Sequence, residues 1–348
     1  MERVSARVAC ISALLVGCIS TAASADVVTI NGVPSYEWYN GCGPTAAGMI
    51  IGYWDSLGYA NLIAGSADWY SNRQAVKDMI ASPGHVRDYV PTLDRVATPT
   101  DPYHADDSVA DFNQTSRDPK AYGWSSFGMQ DNGLMDFSAF RGYAASARNK
   151  TYFDDTFWTW YVAEIGAGRP VEFLTDSNAD GLTDHFVTAI GFDNTPGAWR
   201  YGYFDTYDHT IHWSDFAPPL SGRSFGVYGG TSYDPGPLPG DANDDGKVDG
   251  GDLALWQQNY DPLGLNGDNN TWAMGDWNRD TKIDGGDLAL WQQHYLPRGI
   301  SMSISVNGTR VTPYGSTDPA EVPEPASLAL VSAGLGIVGA CVRKRRMG

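Results

Sequence analysis

Two runs of alternating oxygen-bearing side chains stand out late in the chain. The first holds Asp241, Asn243, Asp245, Lys247, Asp249 and Asp252, the second Asp276, Asn278, Asp280, Lys282, Asp284 and Asp287. Counted as 12-residue loops, these are positions 1, 3, 5, 7, 9 and 12, which give Ca2+ its oxygen ligands, position 7 through its main-chain carbonyl. Calcium is a hard cation that collects roughly six to eight oxygens, so such a density of carboxylates is what two Ca2+ sites require. Residues 249–258 recur identically as 284–293, which makes the runs copies of one another. The turn at position 6 is Gly246 in the first and Thr281 in the second. A tight turn favours glycine, so the second loop is expected to bind more weakly. Leu253, Leu255 and Trp256, and their counterparts Leu288, Leu290 and Trp291, then open a short helix with an apolar face. A unit this small is expected to need the metal to fold.

The other reactive group is a thiol. Cys10 and Cys18 fall in an N-terminal export signal and Cys341 in an apolar C-terminal tail, so Cys42 alone remains in the body. No disulfide can form in the processed chain, and an exported protein keeping one free thiol points to chemistry. After Cys42, the residues Ala46, Met49, Ile50, Tyr53, Trp54 and Leu57 lie at helical spacing and stop at Gly58. A cysteine in the first turn is expected to have its pKa lowered by the helix dipole. A nucleophilic thiol needs an imidazole beside it and a group to orient the ring. His185 precedes an apolar strand at 186–192, and Asp205 follows an aromatic strand at 199–203. His85, His104, His209, His212 and His294 lack such a strand context and are read as surface or structural.

Asp176, Asn178, Asp180 and Gly181 repeat the first half of a calcium loop, but position 12 falls on Val187, so an acidic turn before His185 is the plainer reading. Trp69, Trp124, Trp158 and Trp160 suit either a sugar groove or, more simply, core packing.

Both ends read as processing signals. Arg3 and Arg7, an apolar run at 8–19 and Ala23-Ser24-Ala25 form a signal peptide over 1–25, to be removed by signal peptidase. Leu15-Val16-Gly17-Cys18 offers a rival, lipoprotein-type cleavage. At 322–348, Val322-Pro323-Glu324-Pro325 leads into about 17 apolar residues, the short limit of a membrane span, and a basic cluster that would stay cytoplasmic. The formal charge of −18, from 41 acidic against 23 basic side chains, excludes a nucleic-acid partner, which needs a basic face.

Three resemblances sit on these residues. Tyr39-Asn40-Gly41-Cys42-Gly43-Pro44-Thr45, with Asp184-His185-Phe186 and Tyr203-Phe204-Asp205, resembles papain-like cysteine peptidases of the bacteriocin-leader-processing (C39-like) group. That resemblance implies an α+β papain-like domain over 26–234, an N-terminal helix carrying Cys42 and a C-terminal antiparallel sheet carrying His185 and Asp205. It also implies a catalytic Cys42–His185–Asp205 triad acting on a peptide or protein substrate. The glutamine such enzymes place about six residues before the cysteine is Tyr36 here, so Tyr36 or Asn40 is left as the second oxyanion donor. The segment 241–297 resembles a dockerin type I module, which implies a small all-α domain, two Ca2+ ions and a cohesin-like partner. The tail resembles a PEP-CTERM sorting signal, which implies an exosortase, transient membrane insertion and a mature protein at the cell surface or secreted. Pro/Gly-rich 235–240 reads as a stiff linker and 298–321 as a polar spacer. The expected function is an exported cysteine peptidase tethered to an extracellular assembly. The alternatives are an inactive binding or adhesion module, or an acyl or amide transferase using the same triad.

Overall fold

The apolar run that begins at Cys42 is a helix, α1 (Cys42–Ser56), buried at every position from Cys42 to Trp54. A helix covered all round is a core helix rather than a surface one. Pro44 is tolerated because it lies in the first turn, where its missing N–H has no intrahelical partner to lose. Thr45 closes that turn by donating its hydroxyl to the Gly41 carbonyl at 2.6 Å. The helix stops at Ser56, and Gly58 follows at φ +123°, in the region glycine favours.

The computed structural model describes residues 26–65, 73–88, 105–116, 122–152 and 155–311. Strand β1 (Val27–Ile30) precedes α1, and α2 (Gln74–Ile80), α3 (Pro83–Asp88), α4 (Val109–Phe112), α5 (Gln130–Phe140), β2 (Ser146–Thr151) and α6 (Asp155–Gly166) follow it. The sheet continues with β3 (Val171–Asp176), β4 (His185–Asp193), β5 (Arg200–Phe204), β6 (His212–Asp215) and β7 (Gly226–Asp234). After these come α7 (Gly250–Gln258), α8 (Gly285–Gln293), β8 (Ile304–Val306) and β9 (Thr309–Val311).

The chain is α+β, with a nine-stranded sheet whose strand pairs are all antiparallel. Strand β4 is its axis. One edge pairs with β3 through residues 185–189 and then with β1 through 191–193, and the other edge pairs with β5. Strand β3 is buried almost throughout, which means that both faces of the sheet are covered there. On one face lies α1, to which Thr188 donates a hydrogen bond at the Ala46 carbonyl, 2.8 Å. On the other lies α6, whose Phe157, Trp158 and Tyr161 pack with Phe173, Phe192 and Phe216. Trp158 is thus core, while Trp124 is exposed and Trp69 and His104 fall outside the described residues.

Two expected connectors are built into the fold. The stiff linker expected at 235–240 is packed against the fold: Leu238 is buried and Tyr59 donates its hydroxyl to the Gly236 carbonyl at 2.7 Å. One continuous core runs from the sheet through Leu238 to Val248, Leu253, Trp277 and Trp291. Of the expected spacer, residues 304–311 form β8 and β9, and β8 extends the sheet beside β1. Asn307 seals that edge, its N–H donating to the Val27 carbonyl and its side-chain oxygen accepting from the Val27 N–H, both at 2.8 Å. Among the described residues no helix is long and apolar enough to cross a membrane. The apolar run at 326–342, like the export signal at 1–25, lies outside them.

Candidate thiol site and calcium loops

Cys42 is the first residue of α1 and is nearly buried. It lines a pocket of about 240 Å³ whose walls include Trp124, Ser125, Phe127, Leu174 and Asp184. Burial pushes the thiol up to about 11; N–H groups of Phe186, Gly43 and Cys42 itself pull the other way, and nearby Glu172 adds to the rise. The lowered pKa expected from the helix terminus is therefore overturned, because desolvation of the thiolate outweighs the dipole. Glu172 is fully buried with both carboxylate oxygens lacking a partner, and burial holds its pKa well above the usual carboxylate range.

His185 begins β4, one residue before the Phe186 that packs on Cys42. Its Nε2 lies 2.7 Å from the main-chain carbonyl oxygen of Asp205, and its ring stacks on Tyr207 at 4.9 Å between centroids. Burial lowers its pKa, against the Asp205 carbonyl and the charges of Asp184 and Asp205. The Asp205 carboxylate faces elsewhere. One oxygen accepts the N–H groups of Tyr207 and Asp208 at 2.9 and 3.3 Å, and the other lies 3.4 Å from His212 Nε2. Asp205 thus meets His185 through its backbone. Among the described residues no hydrogen bond joins Cys42 to His185.

Of the two residues expected to complete an oxyanion hole, Tyr36 lies away from the sulfur, and the Asn40 side chain is engaged by its neighbours. The Tyr36 hydroxyl is buried against Gly52, about 15 Å along the helix from Cys42 at 1.5 Å per residue. Asn40 accepts the Tyr122 hydroxyl at 2.6 Å and hydrogen-bonds Tyr39. The site contains residues that no motif signalled. Ser125 and Gln130 pack on Gly43 so closely that a Cβ there would sit 2.6 Å from the Ser125 hydroxyl oxygen and 3.5 Å from Gln130 Nε2. Gly43 is required by that approach. Asp205, Asp208 and His212 also gather, with ligand atoms within 4.8 Å of one another. Of the remaining described histidines, His85 is buried with Nδ1 2.7 Å from Asp111, His294 is buried against Tyr143, and His209 is exposed.

The two acidic loops adopt one geometry. In each, the position-6 N–H donates to the position-1 carboxylate: Gly246 to Asp241 at 2.8 Å and Thr281 to Asp276 at 3.1 Å. The position-5 N–H donates to the position-3 amide oxygen and the position-7 N–H to the position-5 carboxylate. The closing acid accepts the position-2 N–H, Asp252 from Ala242 at 2.9 Å and Asp287 from Trp277 at 2.8 Å. Asp249 and Asp284 cap the helices that follow. Burial, with the like charges of Asp252 and Asp245, raises Asp241 to about 6, and burial likewise raises Asp252, Asp276 and Asp287. Crowded carboxylates of this kind fit a divalent cation, which would relieve both strains. The copies also hold each other: Trp256 donates its indole N–H to the Asp284 carbonyl at 3.0 Å, and Trp291 to that of Asp249 at 2.9 Å.

Residues 239–296 match the family model of the Dockerin type I domain, and residues 321–346 match the PEP-CTERM protein-sorting motif. No curated protein matches the chain. Dockerin type I domains bind calcium and imply a cohesin partner, and a PEP-CTERM motif implies processing by an exosortase. These two segments mark an exported protein held in an extracellular assembly.

Proposed function

We propose that the sheet domain is a cysteine peptidase, held outside the cell by its dockerin. The reading rests on one observation: the His185 ring is fixed by the Asp205 carbonyl at Nε2 and by Tyr207 beneath it, on the strand whose next residue packs on Cys42. Nδ1 is then the nitrogen that serves the thiol. Because burial keeps the thiol neutral at rest, His185 takes the proton as the sulfur attacks rather than forming an ion pair beforehand. The S–C bond forms, and negative charge collects on the carbonyl oxygen facing main-chain N–H groups at the helix start. The C–N bond breaks as His185 returns the proton to the leaving amine, and water releases the acyl group from the sulfur. Each dockerin loop takes one Ca2+, and the exosortase removes the tail after transient insertion in the membrane.

The second reading, a binding module that keeps the shape without the chemistry, is favoured by the thiol's high pKa and by the missing Cys42–His185 hydrogen bond. Acyl or amide transfer would use the same groups. The deciding experiment incubates the processed chain with a broad peptide library and with an epoxide that alkylates active thiols. A peptidase cleaves peptides and is labelled at Cys42 at least about 100-fold faster than the His185→Ala variant, the low end of a general base's contribution. Equal labelling of the two proteins, with no cleavage, establishes the binding module.

A further inference from the structure

A third acidic loop lies in the sheet domain, between β3 and β4. Residues 176–184 are too short to reach an acid at position 12, yet they reproduce three of the main-chain N–H bonds that both dockerin loops share. The N–H of Gly181 donates to Asp176 at 2.7 Å, that of Asp180 to Asn178 at 2.9 Å and that of Leu182 to Asp180 at 2.7 Å. These are the position-6, position-5 and position-7 bonds of both dockerin loops. The backbone agrees as well: position 4 is left-handed in all three, with φ of +64° at Ala179, +57° at Asp244 and +60° at Arg279. The missing closing acid is replaced by Asp184, which accepts the position-2 N–H of Ser177 at 2.7 Å, as Asp252 accepts that of Ala242.

Such geometry alone would be an acidic turn. The second observation concerns Asp176. Its side chain is fully buried, one oxygen is turned into the loop by the Gly181 N–H, and the other, Oδ1, is buried without any partner. A fully desolvated carboxylate oxygen left bare costs free energy that a cation in the loop would recover. We infer that residues 176–184 form a third Ca2+ site, with oxygen from Asp176, Asn178, Asp180 and Asp184 and from the Leu182 carbonyl. It clamps the start of β4: Thr183 and Asp184 line the Cys42 pocket and His185 follows directly. The site stands whether or not the domain is a peptidase.

The test counts ions bound to the intact processed chain by native mass spectrometry, with calcium alone as the probe. The expected result is three per chain, falling to two in Asp180→Ala, whose replaced side chain is exposed. Asp245→Ala should also fall to two, by loss of a dockerin ion, and the double variant to one. Hydrogen exchange separates the loops: calcium should slow the amides of 180–182 in wild type and Asp245→Ala but not in Asp180→Ala. Two ions in wild type, both lost through dockerin substitutions, or an unchanged count in folded Asp180→Ala, overturns the proposal.

Discussion

His185 Nε2 meets the backbone carbonyl of Asp205 at 2.7 Å, while the carboxylate of the same residue turns toward His212. The orienting group is therefore a main-chain atom that no substitution removes. Asp205→Asn keeps the carbonyl and one side-chain acceptor for the Tyr207 N–H. Its alkylation or cleavage rate should fall less than about 10-fold, against roughly 100- to 10,000-fold for His185→Ala. Parallel rates for the two variants would sink this account.

The buried thiol makes a prediction in pH. With the thiol raised to about 11, its thiolate fraction climbs about tenfold per pH unit across the whole neutral and mildly alkaline range. In His185→Ala, where no base assists, Cys42 alkylation by iodoacetamide should keep rising to at least pH 10. A plateau near neutrality in that variant, followed by mass spectrometry of the labelled peptide, would contradict the raised thiol pKa.

Glu172 tests the burial argument through stability. Its folded pKa lies above the unfolded value, so the fold holds it neutral, whereas the unfolded chain ionises it above about pH 4.5. Wild-type stability should therefore decline as pH rises from there toward the folded pKa, by up to about 1.4 kcal/mol per unit. Glu172→Gln lacks this proton. Its melting temperature should match wild type near pH 4 and exceed it increasingly toward pH 8; a pH-independent difference would contradict the reading.

Thr281 occupies a left-handed position at φ +69° where its twin Gly246 sits at +76°. An L-residue there costs about 1–2 kcal/mol, partly offset by the extra freedom glycine has when unfolded. Thr281→Gly should stabilise the calcium-loaded chain by about 0.5–1 kcal/mol in denaturant titrations and tighten the second loop. Gly246→Thr should do the reverse.

Elements with local causes were legible in the sequence. The helix from Cys42 and the strands entered at His185 and near Trp199 follow from spacing and turn residues, and the calcium loops from carboxylate periodicity. What stayed hidden depends on contacts distant along the chain. Ser125 and Gln130 reach Gly43 only once α5 packs beside α1, and neither belongs to a motif. The Asp205 carbonyl is invisible to side-chain reasoning. Burial reversed the expected effect of the helix dipole on Cys42, because a sequence gives the dipole's sign but not the depth of the thiol. The Pro/Gly stretch 235–240 reads as a linker by composition, yet Leu238 packs into the core and Tyr59 holds the Gly236 carbonyl.

Asn307 and Val27, hydrogen-bonded to each other, are separated by 280 positions. The first of the described strands is thus completed by β8, near the end of the described residues. Strand β1 can pair with β4 first, but loop-closure entropy makes pairing with the more distant β8 slow, so that edge of β1 is expected to be the late one to close.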